Sequence, residues 1–594
     1  MYKPEKRWEK KTIDPLEFEQ LQKEFKNINK EINEHLLALI YHKNLRDVNA
    51  VKDFLNTQEK ALYDPFLMKG MDNAVSRVLK ALEQGENILI YGDYDVDGTT
   101  SVAMLYSFLQ YFHEAIAYNK KNNLSLSYYI PDRFLEGYGI SEKGILYAEE
   151  NKIDLIITVD CGIKDIEIIE SLKNKNIDVI VCDHHEPGVI VPNCCAVLNP
   201  KQEGCAYPFK ELSGCGVAFK LIQALLKEKN RKDEIANNYL EYVAISTVAD
   251  VVSLLDENRT LVTKGLALIN NPKKRSFFIQ GLFDNKILTE GVSVNAMDIG
   301  FKIGPLINAA GRMEHAHLAV AYFLAQDSEE QKKSIEILKN LNEDRKKSDI
   351  NNTKEARKRV EEDTFFKYTK SIVLHNEDWH VGTIGIVASR LIDFYYKPTI
   401  IMTKTQEGIY SGSGRSIPGL NLVAILEKSK EYLLAYGGHY FAAGLKIKEE
   451  NIAQFKKDFE FQVGEHLSKE LQIPVIYYDT ELAYTEISPE LVNTIDRFEP
   501  FGQDNTAPIF MHRGISKMDF ISKILNNKHV KLNFEHYSKF PYKLEAIGYN
   551  LAKKFNQLKL SKEDSIDIIY YITKSTYKED TKVQLHLLDI RKSE

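Results

Sequence analysis

The chain has 594 residues, 44% of them hydrophobic and 27% charged, with a formal net charge of −7. These proportions exclude collagen-like, disordered and membrane-embedded classes, and at roughly 150 residues per domain the length predicts about four compact units. The acidic balance gives no global sign of a nucleic-acid partner, and no apolar run approaches the roughly 18 residues that a membrane-crossing helix needs.

The first residues, Met-Tyr-Lys-Pro-Glu-Lys-Arg, lack the apolar centre of a signal peptide. Residues 1 to 70 predict a helical segment, with Leu21, Phe25, Ile28 and Ile32 spaced three or four apart. From Asn87 the pattern changes to short apolar runs: Asn87 to Tyr91, Leu126 to Ile130, Asp154 to Val159 and Asp178 to Cys182. Amphipathic helical stretches separate them, around Val102 to Phe112, Ser141 to Asn151 and Lys164 to Lys173. Strands without polar alternation, joined by helices, predict a parallel sheet covered on both faces. Cys161, Cys182, Cys194, Cys195, Cys205 and Cys215 all fall in this region without zinc-type Cys-x-x-Cys pairs, and read as small core residues of a protein in a reducing cytoplasm.

A largely helical region follows. Its last part, Gln331 to Lys370, is crowded with charges of both signs and holds no Gly or Pro, which predicts a long solvated connecting helix. A second α/β pattern spans 371 to 465, with strands near Ser371 to Leu374 and Pro398 to Met402 and a helix over Gly385 to Phe394. After Pro474 the chain is β-rich, and Met511 to Leu560 carries 10 Lys or Arg against 3 Asp or Glu. A small barrel or sandwich with a basic surface is expected there.

The acids at the strand ends are the most informative feature. In open parallel sheets ligands bind at the carboxyl ends of the strands. Here one strand runs into Gly92-Asp93-Tyr94-Asp95-Val96-Asp97-Gly98, the next into Asp160-Cys161-Gly162 and another into Asp183-His184-His185, while Asp250 follows a helical stretch. So many carboxylates in one pocket repel one another unless divalent cations neutralise them. Oxygen ligands with a minority of imidazole suit Mn²⁺ or Mg²⁺ better than Zn²⁺. Two such ions activate water and stabilise a leaving oxygen, so phosphoester hydrolysis is the natural chemistry. The acidic run lacks the glutamate of an EF-hand loop, and Gly92 and Gly98 lack the Gly-Lys-Ser/Thr of a P-loop.

These four motifs, in this order, resemble those of the DHH phosphoesterase superfamily. Within it the chain resembles the RecJ family of single-strand-specific 5′ to 3′ DNA exonucleases. The finer match rests on Ile130-Pro-Asp-Arg-Phe134, Glu136-Gly-Tyr-Gly139, Leu212-Ser-Gly-Cys-Gly216, Ile307-Asn-Ala-Ala-Gly-Arg312, Trp379-His380, Gly385-Ile-Val-Ala-Ser-Arg390, Gly412-Ser-Gly-Arg-Ser416, Gly437-Gly-His439 and Pro500-Phe-Gly502. The chain departs from the family pattern at Pro305-Leu306-Ile307-Asn308, where Leu306 stands in place of a usual basic residue.

The resemblance implies an α/β multidomain fold. It comprises an N-terminal helical segment (1–70), a DHH catalytic domain with a parallel sheet (71–330), a connecting helix (331–370), a DHH-associated α/β domain (371–465) and an OB-like nucleic-acid-binding β domain (470–594). It further implies two divalent cations, Mn²⁺ or Mg²⁺, held by Asp95, Asp97, Asp160, His184 and Asp250, with Asp93 as a further ligand or supporting acid. Asp160, His184 and His185 would be catalytic, His185 beside the scissile phosphate, and Asp183 would orient an imidazole. Arg133, Arg312, Ser413, Arg415 and His439 would bind the 5′ phosphate or the first nucleotides, and Ser411 to Ser416 is expected to be a flexible phosphate-binding turn. The implied partners are single-stranded DNA, a helicase and a single-strand-binding protein, with no membrane. The competing readings are a DHH phosphodiesterase for small nucleotides or oligoribonucleotides, which would not need the basic C-terminal module, and a non-catalytic single-strand-binding scaffold, which would not need the full set of acids.

Overall fold

The computed structural model describes residues 5–26, 33–57, 60–116, 125–535, 543–577 and 580–593. Ile28 and Ile32 of the expected N-terminal stripe lie outside the described residues. The chain forms two compact units, one of residues 1–9, 312–314 and 337–476, the other of 10–311, 315–336 and 477–594.

In the larger unit, β1 (Asn87–Gly92), β2 (Ser125–Tyr129), β3 (Leu155–Val159), β4 (Asp178–Cys182) and β5 (Ala196–Leu198) form one sheet in the order β2-β1-β3-β4-β5, and every pairing is parallel. The apolar runs are continuous because both faces are covered. Leu89, Tyr91, Ile156, Val179 and Val181 pack under the helices Glu142–Glu150 and Ile166–Asn174. Helices α1 (Val96–Ile116), α2 (Gly214–Glu228) and α3 (Leu240–Ala249) pack together, and α1 and α2 also lie against the sheet. Register positions the chemistry: Gly92 pairs with Val159 and Val159 with Cys182, so Asp93, Asp160 and Asp183 each follow the same row at one sheet edge. Strands about 4.8 Å apart then bring three acids from distant sequence side by side.

The C-terminal part of this unit holds β11 (Thr480–Glu481), β12 (Phe510–Ser516), β13 (Phe520–Leu525), β14 (His529–Phe534), β15 (Glu545–Gly548), β16 (Ser565–Tyr577) and β17 (Asp580–Lys592), in the order β11-β12-β16-β17-β15-β14-β13. Its core is shared with the chain's beginning: Leu21, Phe25, Leu37, Ile40 and Val51 join Phe498, Phe510, Phe534 and Tyr570 in one cluster.

A single helix, α4 (Ser328–Glu362), runs for 35 residues, the long helix that the charge pattern predicts, but it ends at Glu362 rather than Lys370, giving way to a 3-10 turn at Thr364–Lys367. In the smaller unit, β6 (Ile372–His375), β7 (Thr399–Gln406), β8 (Ile409–Arg415), β9 (Leu433–Gly438) and β10 (Ala442–Lys448) make a mixed sheet in the order β9-β10-β8-β7-β6. One face packs Ile372, Leu374 and Ile401 against α5 (Ile384–Tyr395) and the end of α4, the other Val373, Ile400, Met402 and Leu445 against Phe455 and Phe459. This corrects the expectation of a flexible turn at Ser411 to Ser416. Ser411 to Arg415 belong to β8, paired with β7 on one side and β10 on the other, so their backbone groups serve the ladder. The glycines are there for packing: a Cβ at Gly412 would meet Leu445 at 2.8 Å and Met402 at 2.9 Å.

No described helix is long and apolar enough to cross a membrane, and all six cysteines are free thiols.

Candidate metal centre

Asp95 sits where β1 gives way to α1. Its Oδ1 accepts from the Asp97 N–H at 2.8 Å and the Gly98 N–H at 3.2 Å, so it caps the helix that carries Asp97. Asp97 points at the start of α2: Oδ2 accepts from the Gly214 N–H at 2.7 Å, and Oδ1 from the Cys215 N–H at 2.8 Å and the Ser246 hydroxyl at 2.6 Å. A helix N-terminus with free N–H groups favours such an anion. Asp160 follows β3 with φ of +61°. The Ser213-Gly214 backbone lies against it, since a Cβ at Gly214 would come within 2.7 Å of the Asp160 Cβ. Asp250 closes α3, its N–H bonded to the Ser246 carbonyl at 2.9 Å.

These groups converge. The His184 Nε2 lies 3.2 Å from Asp160 Oδ1, 3.5 Å from Asp250 Oδ2 and 3.7 Å from Asp97 Oδ2. Among the described residues, three overlapping sets bring possible ligand atoms within 4.8 Å of one another: Asp93 with Asp95 and Asp160; Asp97 with His184 and Asp250; and Asp160 with His184 and His185. All the predicted ligands thus meet in one place, built from four chain segments.

Asp183 is engaged otherwise. Its Oδ1 accepts from the His184 and His185 N–H groups and faces His185 Nδ1 at 2.8 Å, while Oδ2 accepts from the Ile163 N–H at 3.0 Å. Burial alone would raise its pKa, but the His185 hydrogen bond, both imidazoles and the backbone donors hold it down to about 2. Burial first, and neighbouring carboxylates second, push Asp93, Asp160 and Asp250 well above the ordinary range and raise Asp95. Burial likewise lowers His184.

The donor set fits divalent cations. Asp93 Oδ1, Asp160 Oδ1 and both ring nitrogens of His184 are buried without a hydrogen-bond partner, and His184 Nε2 is the nitrogen that faces the acids. Buried polar atoms are otherwise almost always paired, and oxygen-rich sets of this kind select Mn²⁺ or Mg²⁺.

Two supporting residues were not singled out by their residue types. Ser246 bonds Asp97 and also Ser213, whose Oγ is 2.8 Å away. Tyr138 donates to the Asp160 carbonyl at 3.2 Å and lies 3.0 Å from His185 Nδ1. The positive φ of Gly137 (+86°) and Gly139 (+90°) on either side of Tyr138 marks a constrained loop that the Gly-Tyr-Gly spacing hints at.

The predicted substrate residues divide between the units. In the larger, the Arg133 guanidinium lies 4.7 Å over the Tyr94 ring, adjoining Asp93. In the smaller, Arg415 Nη1 donates to Ser413 Oγ at 3.0 Å, and both lie beside Gly385 at the start of α5. Arg312 Nη1 reaches the Gly382 carbonyl at 3.4 Å. His439 is exposed after Gly438, and its N–H donates at 2.8 Å to the carbonyl of Ala442, which pairs with Arg415.

Comparison with known proteins supports the same architecture. Residues 87–247 match the DHH family N-terminal domain, 367–465 the DHHA1 domain and 478–589 the RecJ OB domain. The single-stranded-DNA-specific exonuclease RecJ of Bacillus subtilis is 36% identical over 86% of this chain, and the chain spans 62% of that relative's length. The same-named protein of Haemophilus influenzae is 33% identical over 87% of this chain and 90% of its own. The crystal structure of RecJ in complex with Mn²⁺ from Thermus thermophilus superposes with a TM-score of 0.80 at 25% identity, covering 99% of this chain and 80% of that one. The chain belongs to the RecJ family.

Proposed function

We propose that the protein is a metal-dependent, single-strand-specific 5′ to 3′ exodeoxyribonuclease that hydrolyses phosphodiester bonds and releases 5′-mononucleotides. The observation that carries this reading is the buried cluster of Asp93, Asp95, Asp97, Asp160, His184 and Asp250, with its unpaired oxygen and nitrogen atoms. These residues would hold two ions, Mn²⁺ or Mg²⁺, which when bound supply the Lewis-acid pair that lowers the pKa of water and neutralises phosphate charge.

The chain's own groups supply the rest. Asp183 fixes the His185 ring through Nδ1, so the imidazole meets the scissile phosphate in one orientation. Ser246 and the α2 N-terminus hold Asp97 in place. Arg133, Arg312, Ser413, Arg415 and His439 would bind the terminal phosphate and first nucleotides. The basic, aromatic C-terminal sheet would hold the strand further along, since a strand-binding surface pairs phosphates with cations and bases with rings.

The same reading assigns residues 71–330 to catalysis, 371–465 to the associated domain and 470–594 to strand binding. It places the enzyme in the cytoplasm, in DNA repair and recombination, where a helicase and a single-strand-binding protein supply its substrate.

The test offers single and double strands, labelled at either end, with Mn²⁺. Mononucleotides should appear at once from the 5′ label, 3′-labelled strands should shorten stepwise and duplex should resist. Asp160→Ala should abolish hydrolysis while leaving strand binding intact. Near-normal turnover in that variant, or loss of the 3′ label first, would overturn the assignment.

A further inference from the structure

Pro500-Phe501-Gly502 belongs to the C-terminal β part of the larger unit, yet it ends against the segment that carries Asp250. The Leu254 N–H donates to the Gln503 carbonyl at 2.9 Å. The Leu254 side chain is buried over Gly502, where a Cβ would come within 2.5 Å of Leu254 Cδ1. Gly502 has no positive φ, so this close approach, not backbone conformation, calls for glycine. The loop is held in shape by its own groups. The fully buried Asn505 amide donates to the Phe498 carbonyl at 2.9 Å and the Pro500 carbonyl at 2.8 Å, and the Gly502 N–H to the Asn505 carbonyl at 3.0 Å. Arg259, on the helix Asp256–Ile269, donates to the Glu499 and Arg497 carbonyls.

Between this anchor and the metal ligand the backbone is strained. Asp250 caps α3, and Val251 follows it with φ of +60°. Glycine is the usual residue in a left-handed position after a helix, and a β-branched side chain there is an outlier. The Val251 side chain is 63% exposed, so its own packing does not hold it in that conformation. What fixes the segment lies further along: the Leu254 contacts, and the Ser253 carbonyl, which accepts from the Asn258 amide at 2.9 Å.

We infer that the loop 498–505 is a positioning element of the metal centre. Gly502 and Gln503 hold Leu254, Leu254 keeps Val251 left-handed, and that backbone sets where the Asp250 carboxylate stands beside His184 and Asp97. The inference rests on the metal-dependent part of the reading above, and it gives the C-terminal β part a role at the ions without touching them. Once the loop lets go, Val251 relaxes toward negative φ and the conformer that binds metal is only fractionally populated, which weakens apparent affinity by that fraction.

The test titrates Mn²⁺ into the metal-stripped full chain by calorimetry, well below each variant's melting temperature. Gly502→Val drives Leu254 off its seat, and Asn505→Ala loosens the loop without adding bulk. Each should weaken Mn²⁺ binding roughly 5- to 20-fold, the low end of what a strained residue supplies, because Asn258 still holds Ser253. Val251→Gly should bind within about twofold of wild type, since glycine takes positive φ as readily as negative, and adding it to either loop variant should restore the affinity to that level. In an Asp250→Ala background Gly502→Val should lose nothing further, because the carboxylate it positions is gone. Wild-type affinity in both loop variants, a loss that Val251→Gly leaves in place, or an equal loss in the Asp250→Ala background would overturn the positioning role. Protein that binds Mn²⁺ and shows these effects yet hydrolyses no strand would remove the nuclease reading and leave the loop's role standing; hydrolysis with unchanged affinity in the loop variants would remove the loop's role alone.

Discussion

Replacing Ser246 by alanine removes one hydroxyl from beneath the acidic cluster. Ser246 is fully buried and donates to Asp97 Oδ1 at 2.6 Å, while its oxygen also lies 2.8 Å from the Ser213 hydroxyl. A hydrogen bond to a charged group is worth about 1.5–3 kcal/mol. The lower end applies here, because Asp97 keeps its two N–H donors from Gly214 and Cys215. About 1.5 kcal/mol corresponds to a roughly tenfold loss in Mn²⁺ affinity, at the bottom of the 10- to 100-fold range for residues that orient metal ligands. Titration calorimetry of Mn²⁺ into metal-stripped protein measures it directly. The activity should recover largely when Mn²⁺ is raised tenfold, since the ligand itself is intact. Ser213→Ala, one step further from Asp97, should lose less. Unchanged Mn²⁺ affinity in Ser246→Ala would refute the idea that this hydroxyl holds Asp97 for the metal.

Glu241, on the helix that ends at Asp250, is 1% exposed, and burial raises its carboxyl from 4.5 to about 7 against the Ser276 N–H and the Arg275 charge. The folded pKa lies above the unfolded one, so the stability this group contributes is full below 4.5 and is lost as pH rises to about 7; at 1.36 kcal/mol per unit the loss is about 3 kcal/mol. Hydrogen exchange of Leu240–Ala249 should therefore show Glu241→Gln gaining on wild type between pH 5 and pH 8, and a pH-independent difference would contradict this. Arg415→Ala should lower kcat/KM on 5′-phosphorylated strands about 10- to 100-fold, the worth of a lost charge-assisted contact, and spare 5′-hydroxyl strands; equal losses on both would exclude phosphate recognition.

The strands of the catalytic sheet are legible because strands covered on both faces read as unbroken apolar runs, and the acids stand out because they end those runs. Ala196–Leu198 is too short for such a signal. Strand β8 is hidden by its own composition, since alternating serine and glycine resembles a turn until Met402 and Leu445 show what the glycines fit. Contacts between distant residues leave no local trace: Ser246 lies 149 positions from Asp97, and Tyr138 is 47 from His185. The shared core of Leu21, Leu37 and Ile40 with Phe510 and Tyr570 is invisible for the same reason, because periodicity shows that a helix has an apolar face but not what covers it.

The acids of the cluster differ in who neutralises them, with Asp95 between the extremes because it accepts two backbone N–H groups and is raised all the same. Asp97 and Asp183 are surrounded by donors from the chain, the first by a helix N-terminus and a serine, the second by three backbone N–H groups and His185. Asp93, Asp160 and Asp250 receive no comparable set. Burial and mutual repulsion push all three well above the usual carboxylate range, and Asp93 and Asp160 each keep a buried oxygen without a partner. A structural salt-bridge network would satisfy its members evenly, since an unpaired buried polar group is destabilising by about 1–3 kcal/mol. The unevenness has a function if the satisfied acids act as a fixed frame and the unsatisfied ones supply negative charge to ions that arrive from solution. Such ions then stabilise the fold as well as the reaction, by about 2.7 kcal/mol at a concentration one hundred times their dissociation constant.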